Sequence, residues 1–336
     1  VWVGVGITVF FLWLALRDVS FQEVARAIGR ARWGVLLGLS IPPYLLAVYF
    51  RALRWRHLTD PVQPIGLAPL FRAVAVGFMA NNLFPLRMGE VVRAWYLARE
   101  TGASTAALFG TVILERVLDT VAVIGLALAG LAVLGAEQGG LMARGAMLLL
   151  PVAAAPVLVL TVLRLAPERT LALAARLLRP FPARVGTFVE QHLRHFSEGL
   201  GALSGGTHLF WIAFHSAVIW LLCTPLPFLA GFLALDIDFG SAHQMVMASW
   251  LTVAAIGVAV ALPSAPGFFG PYQVACRIAL APFGVDEATA VALGILFNTI
   301  FWATLTALGL AVLRWRRTTL GEIEGAVDPP PGDGPA

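Results

Sequence analysis

Apolar stretches long enough to cross a bilayer alternate with short polar ones along most of the chain. The first, Val1 to Leu16, is short for a span, which fits a trimmed start in a chain that opens without Met. Arg17 to Arg32 is polar, with apolar residues at Phe21, Val24, Ala25 and Ile28, the spacing of a short amphipathic helix on a membrane surface. A second span runs from Trp33 to Leu53, with a kink expected at Pro42-Pro43. It ends in Arg51, Arg54, Trp55, Arg56 and His57, an interfacial basic and aromatic cluster. Leu67 to Leu83 is apolar but breaks at Asn81-Asn82-Leu83-Phe84-Pro85, and a helical run follows from Val91 to Arg99. Ala106 to Leu134 is a long apolar helix with Glu115, Arg116 and Asp119 well inside it. Met142 to Leu163 is another span, carrying Pro151 and Pro156.

Residues 164–206 differ in character. Six Arg with Glu168, Glu190 and Glu198, broken at Pro180 and Pro182, predict amphipathic surface helices on the cytoplasmic side. Leu209 to Leu235 is a span ending at Asp236 and Asp238 on the outer side. Met245 to Leu262 breaks into Pro263-Ser264-Ala265-Pro266-Gly267-Phe268-Phe269-Gly270, then a short helix runs from Pro271 to Pro282. The last span, Glu287 to Leu313, ends at Arg314, Arg316 and Arg317, which predicts a cytoplasmic C-terminus in a multi-pass cell-membrane protein. Residues 1–317 form the membrane domain, and 318–336, Pro/Gly/Asp-rich towards the end, read as a disordered tail. The fold class is all-α, polytopic, with about seven or eight spans and two broken or re-entrant segments. These interruptions fall one in each half, a pattern that points to a transporter-type site. Ordinary loops rich in turn residues remain the alternative.

Composition narrows the function. The chain is 59% apolar and 12% charged, with mean hydropathy +0.83, against about 25% charged in a soluble protein. A soluble enzyme, a disordered protein and a nucleic-acid-binding domain are excluded. The 23 basic residues are all Arg and leave a net charge of +4. Without Lys there is no P-loop and no lysine Schiff base. Cys223 and Cys276 make neither a disulfide framework nor a four-ligand zinc site. No cofactor or metal is called for, and no catalytic constellation stands out.

The charged residues around the first break carry the strongest signal. Arg87, Glu90 and Arg93 follow Pro85, and Glu90 and Arg93 are spaced to pair on one helix face. Glu115 and Asp119 share a face of the long helix and repel unless cations join them or one stays protonated. Arg116 leaves the helix at a different angle, so Arg87, Arg93 or Arg72 is the better partner. Such a set is a mutually neutralised structural cluster, a polar cavity, or both. At the second break, Ser264, Gly267, Gly270 and the following helix N-terminus offer an anion site, with Arg277 further along and Asn298 in the last span. Glycines that merely permit close packing are the alternative.

At Arg54-Trp55-Arg56, Asn82-Leu83-Phe84-Pro85-Leu86-Arg87-Met88-Gly89-Glu90, Glu115-Arg116-Val117-Leu118-Asp119 and Pro263-Ser264-Ala265-Pro266-Gly267 the chain resembles the lysylphosphatidylglycerol synthetase transmembrane, or flippase-like, family. The resemblance runs from about residue 1 to 317. Pro271-Tyr272 departs from the aromatic-acidic pair expected there in relatives, which removes an acidic role at that position. The resemblance implies a flippase that moves a phospholipid or a lipid-linked substrate, a polyprenyl phosphate or glycolipid, between leaflets in the cell envelope. The expected substrate site comprises Asn82, Arg87, Glu90, Arg93, Glu115, Arg116, Asp119, Ser264, Gly267, Gly270 and Arg277, with Arg54 and Arg56 gathering headgroups at the interface. The family's soluble aminoacyl-transferase domain is not in this sequence, so lysine transfer is not expected. The partners are membrane lipids, with a lipid-linked sugar or a glycosyltransferase as further candidates and no nucleic acid. The alternatives are a membrane-embedded transferase acting on a lipid phosphate and a membrane scaffold for a glycosyltransferase.

Overall fold

A computed structural model describes residues 2–84, 88–138, 206–260 and 266–327, together with Ala166, Glu168, Arg169, Ala172 and Arg176. The expected span at 142–163 and nearly all of the Arg-rich segment at 164–206 lie outside the described residues, as do Arg87 and Ser264. The described chain is helical: α1 (Trp2–Leu16), α2 (Phe21–Arg30), α3 (Trp33–Thr59), α4 (Leu67–Leu83), α5 (Gly89–Thr101), α6 (Thr105–Gln138), α7 (Gly206–Ala217), α8 (Leu226–Ala234), α9 (Ala242–Ala259), α10 (Pro271–Leu280), α11 (Glu287–Arg316) and α12 (Leu320–Val327). A π-helical segment, Val218–Cys223, joins α7 to α8. The protein is an all-α polytopic membrane protein. Four described helical stretches, Trp33–Thr59, Thr207–Ala234, Ala242–Ala259 and Glu287–Arg316, are long and apolar enough to cross. The 34 residues of α6 extend about 51 Å at 1.5 Å per residue, and that length carries the three charges read from the sequence.

Both interruptions are present, and they organise the fold. α4 stops at Leu83 and α5 begins at Gly89; α9 stops at Ala259 and α10 begins at Pro271. At 13 and 10 residues, α5 and α10 are too short to cross about 30 Å of hydrocarbon. Each packs between its sequence neighbours, α5 between α4 and α6, α10 between α9 and α11. The two triads then interlock reciprocally: α4 lies along α11, and α6 along α9. Glycines bring both seams close. A Cβ on Gly309 of α11 would run into Met79 and lie 2.9 Å from the Ala75 carbonyl of α4. A Cβ on Gly257 of α9 would lie 3.0 Å from Val123 of α6, and one on Gly130 would run into Leu251. Small residues at such crossings let helix backbones approach and gain dispersion contacts where lipid offers no hydrophobic drive. α3 packs across α4, α7 and α8.

Several expectations need correction. α3 reaches Thr59, well past the expected end at Leu53, with Pro42 and Pro43 inside it. α2 does more than lie on a surface: Val24 is buried beside Ala288, Val291 and Ala292 of α11. The span after residue 206 contains the π-helical segment, in which the Thr224 N–H donates to the Ile219 carbonyl at 2.9 Å. Within the expected disordered tail, Leu320–Val327 is helical. Thr319-Leu-Gly-Glu322 forms a capping box there. The Glu322 N–H donates to Thr319 Oγ1 at 3.3 Å and the Thr319 N–H to Glu322 Oε1 at 3.1 Å. Ile323 is fully buried and Glu322 pairs with Arg99 of α5, which anchors the segment.

Candidate functional site

Side chains of α3, α5 and α6 build the charged centre. On α6, Glu115 and Asp119 project from one face, as four-residue spacing requires. On α3, Arg51 and Arg54 are three apart and meet them. Arg51 Nη1 lies 3.0 Å from Asp119 Oδ2, and Arg54 Nη2 lies 2.8 Å from Asp119 Oδ1 and 3.2 Å from Glu115 Oε1. From α5, Arg93 donates through both Nη atoms to the two Glu115 oxygens at 2.9 and 2.7 Å, a bidentate pair. Arg116 swings back along its own helix to 2.9 Å from Glu115 and 3.0 Å from Asp119. Its adjacency to Glu115 is therefore no bar to pairing, because the long side chain spans the difference in angle. Glu115 and Arg54 are fully buried. The Arg93 guanidinium lies 3.6 Å from the Trp55 ring centroid, and Trp55 in turn donates its indole N–H to Thr111 Oγ1 at 2.8 Å. From the π-helical segment, Trp220 donates to Asp119 Oδ1 at 2.9 Å.

Close packing of α5 on α4 sets the reach of Arg93. A Cβ on Gly89 would enter the Gly77 carbonyl, and one on Gly77 would lie 2.9 Å from Arg93 Cβ. The Gly89 N–H is held by Asn81 Oδ1 at 2.8 Å, and Asn82 bonds across to α11 at the Trp302 carbonyl (3.2 Å) and Thr306 Oγ1 (3.0 Å). The two asparagines thus close the broken end of α4 at membrane depth, where free polar backbone is costly.

Beside this centre lies a cavity of about 630 Å³ between the two triads. One end is polar, with Arg51, Asn81, Asn82, Glu90, Arg116 and Asp119. The walls are apolar, including Phe78, Phe109, Val123, Ile256, Phe268 and Phe301. Arg51, Arg54, Arg93 and Arg116 face Glu115, Asp119 and the nearby Glu90, which leaves one positive charge in excess among the described groups. Arg116 is the exposed member: its side chain is 36% accessible, where those of Arg51, Arg54 and Arg93 are 9% or less. Its Nε is buried without a hydrogen-bond partner.

Of the expected residues, Asn82, Glu90, Arg93, Glu115, Arg116 and Asp119 gather at this one place. Arg54 is corrected from an interfacial contact to a buried member of the ion cluster, because two carboxylates on α6 need its charge. Arg56, on another face of α3, is exposed. Arg72 pairs with Glu100, away from the centre. The second break differs from the anion site expected of it. The Gly270 N–H is taken by Gln273 Oε1 at 2.6 Å and the Tyr272 N–H by the Phe268 carbonyl at 3.3 Å. Gly270 has φ +95°, and a Cβ there would lie 2.8 Å from the Thr8 carbonyl, so it seats α1. Gly267, at φ +84°, is covered by the Phe269 and Trp302 rings. Arg277 caps the end of α1 at the Leu14 and Ala15 carbonyls, 2.8 and 2.9 Å away, and pairs with Glu287. This segment reaches the cavity through Phe268 and Tyr272 instead.

Sequence reasoning put Arg51 and Trp55 in an interfacial cluster, where the structure buries both in or against this centre, and it missed Trp220. Charge balance held the signal for Arg51: two carboxylates one turn apart call for cations, and Arg51 and Arg54 share a helix face.

Comparison with known proteins agrees with this architecture. A 38% identical stretch of 89 residues aligns with the UPF0104 membrane protein of Methanothermobacter thermautotrophicus, covering 26% of each chain. The glycosyltransferase AglD of Haloferax volcanii is 25% identical over 328 residues, 88% of this chain and 51% of AglD. The chain thus spans about half the length of AglD and a quarter of the UPF0104 protein. No solved structure matches. The model of the lysylphosphatidylglycerol synthase TM region matches residues 1–309, and the chain belongs to that family.

Proposed function

We propose that this protein moves an anionic lipid, a phospholipid or a lipid-linked substrate such as a polyprenyl phosphate or glycolipid, between the leaflets of the cell membrane. The supporting observation is the cavity, with Arg51 and Arg116 in its polar lining and apolar side chains along its walls, beside a charged cluster with one positive charge in excess. A phosphate headgroup suits the excess positive charge and the accessible guanidinium of Arg116, and acyl or isoprenoid chains suit the aromatic and aliphatic walls. Arg51, Arg54 and Arg93 hold the two carboxylates and so fix the centre; Arg116, paired with both carboxylates but the most accessible of the four, is the group that would turn towards a ligand. The interlocked triads supply two bodies whose relative rocking would open the cavity to either side. A chain without Lys has no P-loop to couple to, so an ion gradient, a substrate gradient or equilibration drives the movement. The reading is of a transporter and not an enzyme. The basic residues Arg314, Arg316 and Arg317 at the end of α11 support a cytoplasmic C-terminus in this reading.

A second reading, a membrane partner for a glycosyltransferase, draws support from the likeness to AglD over about half of that protein. Lipid retention separates the two. The protein is washed in nanodiscs of equal phosphatidylglycerol and phosphatidylcholine, and the lipids it keeps are counted by native mass spectrometry. Selective retention of the anionic lipid, reduced at least tenfold in Arg116→Gln, is the expected result. Equal retention of both lipids by both proteins would overturn the assignment of the cavity.

A further inference from the structure

The end of α3 and the start of α7 bring together three metal-ligating side chains that the transport reading does not use. His57 is in the last turn of α3, and Asp60, the residue that caps its end, keeps right-handed helical backbone, so the two, three apart, lie on one side of it. His208 lies in the first turn of α7. One ligand atom from each, two imidazole nitrogens and a carboxylate oxygen, all lie within 4.8 Å of one another. In a tetrahedral zinc site with bonds of about 2.0–2.1 Å, ligand atoms sit about 3.3 Å apart. Side-chain rotations that bring the ligand atoms closer by at most about 1.5 Å close the difference.

The remaining chemistry is consistent. The Nδ1 atoms of His57 and His208 are buried without hydrogen-bond partners, a costly state that coordination removes. Among the described residues the Asp60 carboxylate has no ion-pair partner, so its charge is unspent. Two neutral imidazoles and one carboxylate suit a divalent ion of the zinc class better than Mg²⁺ or Ca²⁺, which prefer all-oxygen shells. His57 is also held between partners: its ring centroid is 5.6 Å from His208 and 5.5 Å from His215, one face stacked on the latter. Arg56, next in sequence, is exposed, where solvent screens its repulsion of a cation.

We infer that His57, Asp60 and His208 form a binding site for a divalent transition-metal ion of the zinc class, with a fourth position left to water. The ion would staple α3 to α7. The same seam carries the hydrogen bond from Arg54 Nη1 to Ser216 Oγ at 3.1 Å, so the staple would steady the helix that supplies Arg51 and Arg54. The site is independent of which lipid is carried.

The test uses the full chain in detergent, purified on a tag without histidines and stripped with chelator. After incubation with a twofold excess of Co²⁺ or Zn²⁺ and gel filtration, metal per chain is measured, and the Co²⁺ form is examined for visible d–d absorption. The inference predicts one ion per chain and a tetrahedral Co²⁺ spectrum. His208→Gln and Asp60→Asn should each weaken binding at least tenfold, while His243→Gln, an exposed histidine of α9, leaves it unchanged. Should one site variant fail to elute as a monodisperse species, the other carries the comparison. Failure of the wild type to retain an ion, or retention unaltered in a folded site variant, would overturn it.

Discussion

Substituting Glu115 with Gln probes the charged centre most severely. Glu115 is fully buried, accepts from Arg93 twice and from Arg116, and forms an ion pair with Arg54. Removing its charge leaves four guanidinium groups around Asp119 and the nearby Glu90. A charge pair about 4 Å apart is worth about 4 kcal/mol at an effective dielectric of 20, and breaking a buried pair by removing one partner costs about 3–5 kcal/mol. An unfolding entropy of about 2.1 cal/mol/K per residue gives about 0.7 kcal/mol/K for a chain of this length, hence a fall in Tm of about 4–7 °C. That is a lower bound, since helices that stay formed in the apolar phase lose less entropy. Tryptophan fluorescence during heating in detergent reads the shift. The double variant Glu115→Gln with Arg93→Gln should recover about 2 kcal/mol relative to the sum of the singles, because it removes the stranded cation with its acceptor. Additivity within about 0.5 kcal/mol, or a Glu115→Gln protein as stable as wild type, would refute the placement of Arg93.

Other perturbations test other parts of the fold. Gly309→Ala should destabilise by about 1–3 kcal/mol through collision with Met79 and the Ala75 carbonyl, measured as a Tm shift, with partial recovery in Gly309→Ala/Met79→Ala. Trp220→Phe removes one hydrogen bond to a buried carboxylate and should cost about 1.5–3 kcal/mol, while Trp211→Phe, which makes no such bond among the described residues, should cost less in the same melt. Arg99 donates to Glu322 and holds its carboxyl below the ordinary value of 4.5, with Thr319 adding to the effect. A depressed folded pKa means that the contribution is complete above pH 4.5 and is lost as pH falls through the lower, folded value. Docking of α12 should therefore weaken in acid, seen as faster amide exchange over 320–327, and Thr319→Val should mimic this at neutral pH.

The fold was largely legible because its grammar is hydrophobic length and punctuation. The breaks at Asn81–Pro85 and Pro263–Gly270 showed in the sequence, as did the carboxylates inside α6. The reciprocal packing of α4 on α11 and α6 on α9 was not legible, since nothing in Gly257 or Gly309 names the residue it admits. Arg54 was misplaced because an arginine at a helix end beside tryptophan reads the same whether it faces headgroups or a buried acid. The helical register that separates Arg51 and Arg54 from Arg56 held the distinction. The N-terminal donors of α10 looked free because Gln273, which occupies one of them, is an unremarkable polar residue in the sequence. The capping box Thr319–Glu322 was a local signal masked by the Pro/Gly composition of the residues beyond it.

Lipid movement itself is the central claim. The full chain is reconstituted in liposomes without nucleotide, and head-labelled phosphatidylglycerol, phosphatidylcholine and a polyprenyl phosphate are followed by quenching of the outer-leaflet label. Arg116→Gln and Arg87→Ala are compared with wild type, with each protein's folding checked by its melt. The account predicts that wild type equilibrates an anionic lipid class across the bilayer faster than protein-free liposomes, with the rate reduced at least tenfold in Arg116→Gln. Movement of no lipid by folded wild type, with and without an imposed proton or sodium gradient, would contradict it.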